Sequence, residues 1–165
     1  MVLAQQIMLW LSLGFLAVIA WRDFLTFRIS NRDVLIFSGL VALLVILRVL
    51  DNSTTGVLPD LLAGVLLFAL GFVMWLLGAM GAGDVKLYLP LGVLVGWALL
   101  PVYVIFLLFA SILMLLAIWT GRRFPRKQGR FRARLTEIAA AKGVPYAVPM
   151  ALGAILALLP QALSV

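Results

Sequence analysis

The 165-residue sequence contains no cysteine and no histidine. Without thiols there is no disulfide, no thiolate nucleophile and no cysteine metal set. Without imidazole, haem ligation, the usual zinc sets and every catalytic triad or dyad with a histidine base fall away. A serine–lysine dyad stays formally open with Lys86, Lys127 or Lys142 as base, yet no serine stands in a recognisable motif with any of them. Charge is scarce as well: 12% of the residues are charged, where soluble domains carry about 25%. Acid is scarcer than base, with six Asp and Glu against 13 Lys and Arg. Strong acid–base chemistry in this chain therefore rests on six carboxylates.

What the chain has in abundance is apolar side chains, 65% of all residues, which points to an integral membrane protein in one compact all-α bundle. Val2–Trp21 is free of charge and ends against Arg22 and Asp23; lacking the basic start and small-residue cleavage site of a removable signal, it reads as a retained first helix. A second apolar run, Val34–Leu47, follows Ser30 and Asp33, which have the form of a capping box. A third, Leu61–Gly83, follows Pro59 and Asp60, which suit a helix start. Leu87–Gly121 is 35 residues without a charge, about 52 Å as one helix against a hydrocarbon core of about 30 Å. A break near Leu99, Leu100 and Pro101 divides it into two shorter spans. Gly143–Val165 supplies a sixth.

Charge tests the count. With six helices, all the Lys and Arg except Arg48 fall on one side of the membrane, whereas five would move the most basic loop across, against the positive-inside bias. The expectation is a single domain over residues 1–165, about six transmembrane helices, both termini outside and a basic cytoplasmic loop at 120–142. Trp21, Trp75 and Trp119, with Tyr103 on the other side, suit interfacial aromatic belts, and Trp10 reads as a packing residue. The seven Lys and Arg within 122–134 read as a topology signal and a contact for anionic lipid rather than for nucleic acid.

Position sorts the carboxylates. Asp51 and Asp60 lie on the outer side, Asp33 suits a cap, and Glu137 belongs to the basic loop with Arg134 as its natural partner. Asp23 and Asp84 remain, two spans apart and so returned to the same membrane face. Two carboxylates around one water share a proton, one serving as base and the other as acid. Gly81 and Gly83 beside Asp84 permit close approach of an extended chain. Spacing alone leaves a second reading open, because a boundary Asp is commonly a solvated residue and boundary glycines commonly serve packing.

The motifs tip the balance. "GAGDVKL", Gly81–Leu87, matches the GxGD signature of the type IV prepilin leader peptidases. "DFLTFRISN", Asp23–Asn31, resembles the family's other acidic motif, with Ser30 where Pro is usual; "GVPYAVPMALG", Gly143–Gly153, resembles its final helix. The resemblance implies an intramembrane aspartic peptidase with Asp23 and Asp84 as catalytic pair and with Gly81, Gly83, Arg28, Asn31 and Lys86 as motif or substrate support. It also implies prepilin or pilin-like precursors as substrates, cut at the cytoplasmic face of the cell membrane. It calls for no metal and no cofactor. Larger members carry a cysteine-rich zinc segment and also methylate the new N-terminus. A chain without cysteine that begins at its first helix is similar to the short, peptidase-only forms serving Flp (Tad-type) pili or archaeal pilins and preflagellins. Lys86 either favours the ionised pair and contacts an acidic substrate residue or snorkels to lipid phosphates. The competing classes are a small transporter, for which neither an internal repeat nor a midplane charge is visible, and a non-catalytic scaffold of a secretion or pilus system.

Overall fold

A computed structural model of the chain describes residues 2–51, 56–123 and 144–163. Among them are five helices and no strand: α1 (Val2–Thr26), α2 (Asn31–Leu50), α3 (Val57–Leu76), α4 (Ala82–Arg123) and α5 (Ala147–Leu163). The first three and the Ala82–Thr120 run of α4 are long and apolar enough to cross a membrane, and α5 is a shorter apolar helix. The basic segment 124–143, with Glu137 and the expected Arg134 pairing, lies outside the described residues. Along the helices the described exterior is largely apolar, with Leu35, Leu66, Ile105 and Leu113 all exposed. That is the inside-out pattern of a bundle whose solvent is lipid.

The break in the long fourth helix falls at Gly96, not at the expected Leu99–Pro101. Gly96 has φ 74° and ψ 165°, a conformation open to a residue without Cβ and strained for leucine. Pro90 and Pro101 remain inside helical backbone, each forgoing the one hydrogen bond that its missing N–H would have made. Asp60 completes the bend: its Oδ1 accepts the Trp97 backbone N–H at 3.0 Å, and its Oδ2 accepts from Arg48 Nη1 at 3.2 Å. The carboxylate thus caps the arm that starts after Gly96, where orphan N–H groups and the positive end of the helix dipole favour an anion. Beyond the bend the second arm returns, and its Met114 and Ile118 pack against Phe24 of α1.

Glycines set the closest crossing, between α3 and the first arm of α4. A Cβ on Gly92 would lie 2.6 Å from the Gly64 Cα and 2.8 Å from the Ala63 carbonyl oxygen. Backbone therefore meets backbone, as small residues permit in membrane helices. Glutamines hold the start of α1. Gln5 Nε2 donates to Asp51 at 3.1 Å and to the Leu47 carbonyl at 3.5 Å, while Gln6 Nε2 donates to the carbonyls of Gln161 and Ala162 at the end of α5. α1 and α5 are thereby antiparallel neighbours.

Two aromatic assignments change. Tyr103 is fully buried in the core rather than at an interface, and Trp10 is exposed on the lipid-facing side of α1 rather than packed.

Replacing Gly92 with Ala forces backbone apart and is expected to cost about 1–3 kcal/mol, seen as a lower unfolding temperature in detergent. Gly39→Ala, where nothing lies within 4 Å of the added Cβ, is expected to be neutral or slightly stabilising. Equal melting of the two variants would contradict this account of the crossing.

Candidate active site

The last turn of α1 carries Asp23, which is buried. The helix ends where Phe27 adopts φ 54°, a left-handed conformation that costs an L-residue about 1–2 kcal/mol. Its N–H donates to the Asp23 carbonyl at 2.8 Å, and the Thr26 hydroxyl bonds the Arg22 carbonyl at 2.8 Å. The chain reverses over Arg28 and Ile29 and enters α2 at Ser30, whose Oγ accepts the Asp33 N–H at 3.0 Å, the Ser30 half of the expected capping box. Asp33 also pairs with Arg22. That ion pair locks the last turns of α1 to the first turn of α2 and leaves Asp23 facing the other way.

Asp84 sits in the first turn of α4. α3 closes on a Schellman motif, with Gly78 at φ 72° and its N–H bonded to Trp75, while the Ala79 N–H reaches Met74. A short connection then leads to Gly81, whose N–H donates to Asp84 Oδ2 at 3.3 Å. A Cβ on Gly81 would stand 3.0 Å from that same oxygen. On Gly83 it would stand 3.1 Å from Ile29 Cβ and 3.5 Å from the Ile29 carbonyl oxygen. The two glycines act differently: Gly81 leaves room for the carboxylate, and Gly83 lets the α1–α2 turn settle onto the start of α4.

That close approach brings the acids together. Asp23 and Asp84 line one cavity of about 720 Å3, walled by the turn from Phe27 to Ser30, by residues 78–83 and by Val144 and Tyr146. Gly81, Gly83 and Arg28 belong to it. Lys86 and Asn31 do not: Lys86 Nζ donates to Asn31 Oδ1 at 2.9 Å, and both line a separate cavity between α2, α3 and α4. Lys86 thus joins the start of α4 to the start of α2 from outside the carboxylate cavity.

Sequence reasoning did not single out the groups that hold the pair from the far end of the chain. Asp23 Oδ2 accepts the backbone N–H of Ala147 at 3.1 Å, the first residue of α5. Each acid therefore receives an N–H from the start of a helix, where donors otherwise lack partners. Behind them stand the chain's three tyrosines. Tyr88, one turn beyond Asp84, has Tyr146 as its side-chain hydrogen-bond neighbour. Its ring lies where a Gly71 Cβ would be, 2.7 Å away, and the Tyr103 ring is 3.3 Å from the corresponding point at Gly153. A backbone donor carries no residue identity, so only the Pro-Tyr pattern at 145–146 hinted at this wall.

Such a cavity, with two carboxylates, mixed polar and apolar walls and access for water, is suited to acid–base hydrolysis. No curated protein and no solved structure matches the chain. The type IV leader peptidase family matches residues 10–119, a stretch that includes both acids, the turn between α1 and α2 and both arms of α4 but leaves α5 and the Gly143–Gly153 resemblance outside. With two thirds of its length in that match and both acidic motifs opening into one cavity, the chain belongs to the type IV leader peptidase family.

Proposed function

We propose that the protein is an aspartic endopeptidase that removes the leader from type IV prepilins or pilin-like precursors, with Asp23 and Asp84 as its catalytic pair. The observation that carries the reading is their placement: two acids from helices separated by two others line a single cavity. One carboxylate takes a proton from water while its oxygen attacks the scissile carbonyl carbon, and the other, protonated, gives its proton to the carbonyl oxygen. The resulting gem-diol collapses as the C–N bond breaks: the departing nitrogen takes a proton from the carboxyl that received the first, and the other carboxylate takes back a proton from one gem-diol hydroxyl, which leaves a carboxylic acid and restores the starting pair. No covalent intermediate forms. Gly81 and Gly83 shape the cavity, Arg28 lines it, and Lys86 with Asn31 supports it from outside. The chain contains no cysteine and so lacks the cysteine-rich segment that accompanies N-methylation in larger members. The proposed reaction ends at cleavage.

The same reading makes residues 1–165 one membrane domain with six crossings, α4 supplying two, and both termini outside. Its active site faces the cytoplasm, and the 122–134 cluster within the 120–142 loop meets anionic lipid. Support comes from the reversal at Gly96 and from the near-total segregation of Lys and Arg.

With a prepilin co-expressed or reconstituted with the enzyme, Asp23→Asn and Asp84→Asn are each expected to lower cleavage by about 10²–10⁴-fold at unchanged membrane levels. Wild-type processing by either variant would sink the pair, and loss in both would set aside the transporter and scaffold alternatives.

Gly83→Val should hold the α1–α2 turn away from α4 and cost about 10²-fold, the scale of a 1 Å misplacement. A wild-type rate would show that the close approach at Ile29 is dispensable.

Lys86→Met, which removes an exposed hydrogen bond outside the cavity, is expected to change kcat by less than about tenfold, the scale of the roughly 0.5–1.5 kcal/mol that an ordinary hydrogen bond contributes net. A loss as large as that of the Asp variants would return Lys86 to the acids.

A further inference from the structure

The carboxylate cavity has a neighbour. α5 packs on both α1 and α4, whereas α1 and the second arm of α4 meet chiefly where Phe24 packs against Met114 and Ile118. Between them, with α5 as floor, lies an apolar groove of about 390 Å3 that opens sideways on the lipid-facing surface. Its lining sets small side chains among large ones: Ala17 and Ala20 on α1, Ala110 and Ala117 on the second arm of α4 and Ala151 on α5 stand between larger apolar residues of the same three helices. Lipid tails are served equally well by leucine. Alanines aligned on three helices are instead what lets another helix backbone approach closely. Seven residues separate Ala110 from Ala117, so that wall runs for about 10 Å, or two helical turns.

The groove is continuous with the cavity. Phe24, which lines the groove, follows Asp23 directly in the chain. Phe27 walls the cavity and packs against the cluster of Phe24, Met114 and Ile118. Val148 lines the groove two residues after Tyr146, which lines the cavity. A chain with its scissile bond between the two acids thus reaches the groove within a few residues.

We propose that this groove is the docking surface for the substrate's own membrane helix, and that it grips the first two turns of a single apolar helix beginning just past the cleaved bond. The proposal rests on the peptidase reading above and adds where the uncleaved precursor is held and by which side chains. Closely spaced alanines on three sides accept large apolar side chains from the incoming helix, so the grip reads shape and hydrophobicity, not charge.

The absence of native cysteine makes a site-specific test direct. In full-length protein inactivated by Asp84→Asn and kept in membranes, Leu113→Cys and Leu152→Cys place a single thiol at the groove. Leu70→Cys places one on an exposed face of α3. A prepilin-type precursor with one cysteine in the first two turns of its apolar helix is expected to form disulfides with the two groove thiols and not with the third. In active protein, Ala110→Phe and Ala117→Phe fill the groove. Each is expected to raise KM for that precursor at least tenfold, while cleavage of a peptide holding the leader and scissile bond but no apolar helix stays at the wild-type rate. Equal cross-linking at all three positions, no cross-linking at the groove, or unchanged KM in both phenylalanine variants would overturn the proposal and leave the groove to lipid. Failure of the peptidase reading is told apart from this, because it appears as precursor cleavage that survives Asp23→Asn or Asp84→Asn with the groove intact.

Discussion

A carboxylate enclosed among apolar helices must be given hydrogen-bond donors or lose several kcal/mol. The Ala147 N–H to Asp23 hydrogen bond meets that requirement without a counter-charge, and much of the architecture follows from it. It ties the last turn of α1 to the first residue of α5, so the two helices run antiparallel with the acid at their junction. Because α5 is fixed there, it supplies the Tyr146 wall of the carboxylate cavity and the floor of the alanine groove. A basic partner would have neutralised the acid and filled the space beside it. A backbone donor leaves Asp23 without a counter-charge on the side where it lines the cavity.

The same economy governs Asp84, which is held by the Gly81 N–H in the turn of chain that bears it. The other buried acid close by, Asp33, is treated in the opposite way: Arg22 engages it and Ser30 caps the same turn. Two neighbouring acidic positions on α1 and α2 thus have contrasting partners, one an arginine side chain, the other a backbone N–H. The start of α2 is further secured by Lys86 through Asn31, so the positive charges nearest the acids are spent on framing the cavity, apart from Arg28, which lines it.

Much of this was legible in the sequence because membrane constraints are coarse and strong. Charge-free runs mark the apolar helices, although five are described where about six spans are expected, and counting crossings returns Asp23 and Asp84 to one end, where they line one cavity. The capping of α2 by Ser30 was equally plain, since a side chain with a known preference performs it. The failures share a cause. The bend is expected near Leu99–Pro101 and occurs at Gly96, where a positive φ is joined by a tertiary contact, Asp60 capping the following arm, that no local pattern records. Tyr103 looked interfacial by its place along a helix, but burial depends on which neighbours cover it. The Ala147 donor was invisible because every residue but proline has an N–H.

The two ends of the bundle are tied across helices by different means. At one, Arg48, Asp60 and the Trp97 amide clamp α2, α3 and α4, while Gln5 and Gln6 bind α1 to α2 and α5. At the other, Arg22 with Asp33, Lys86 with Asn31 and the Ala147 N–H with Asp23 join α1, α2, α4 and α5, and Phe24 meets Met114 and Ile118 beside the groove. The Asp60 cap belongs to the first set and starts the arm of α4 that carries Ala110 and Ala117, so an acid remote from the carboxylate cavity sets where one wall of the groove begins.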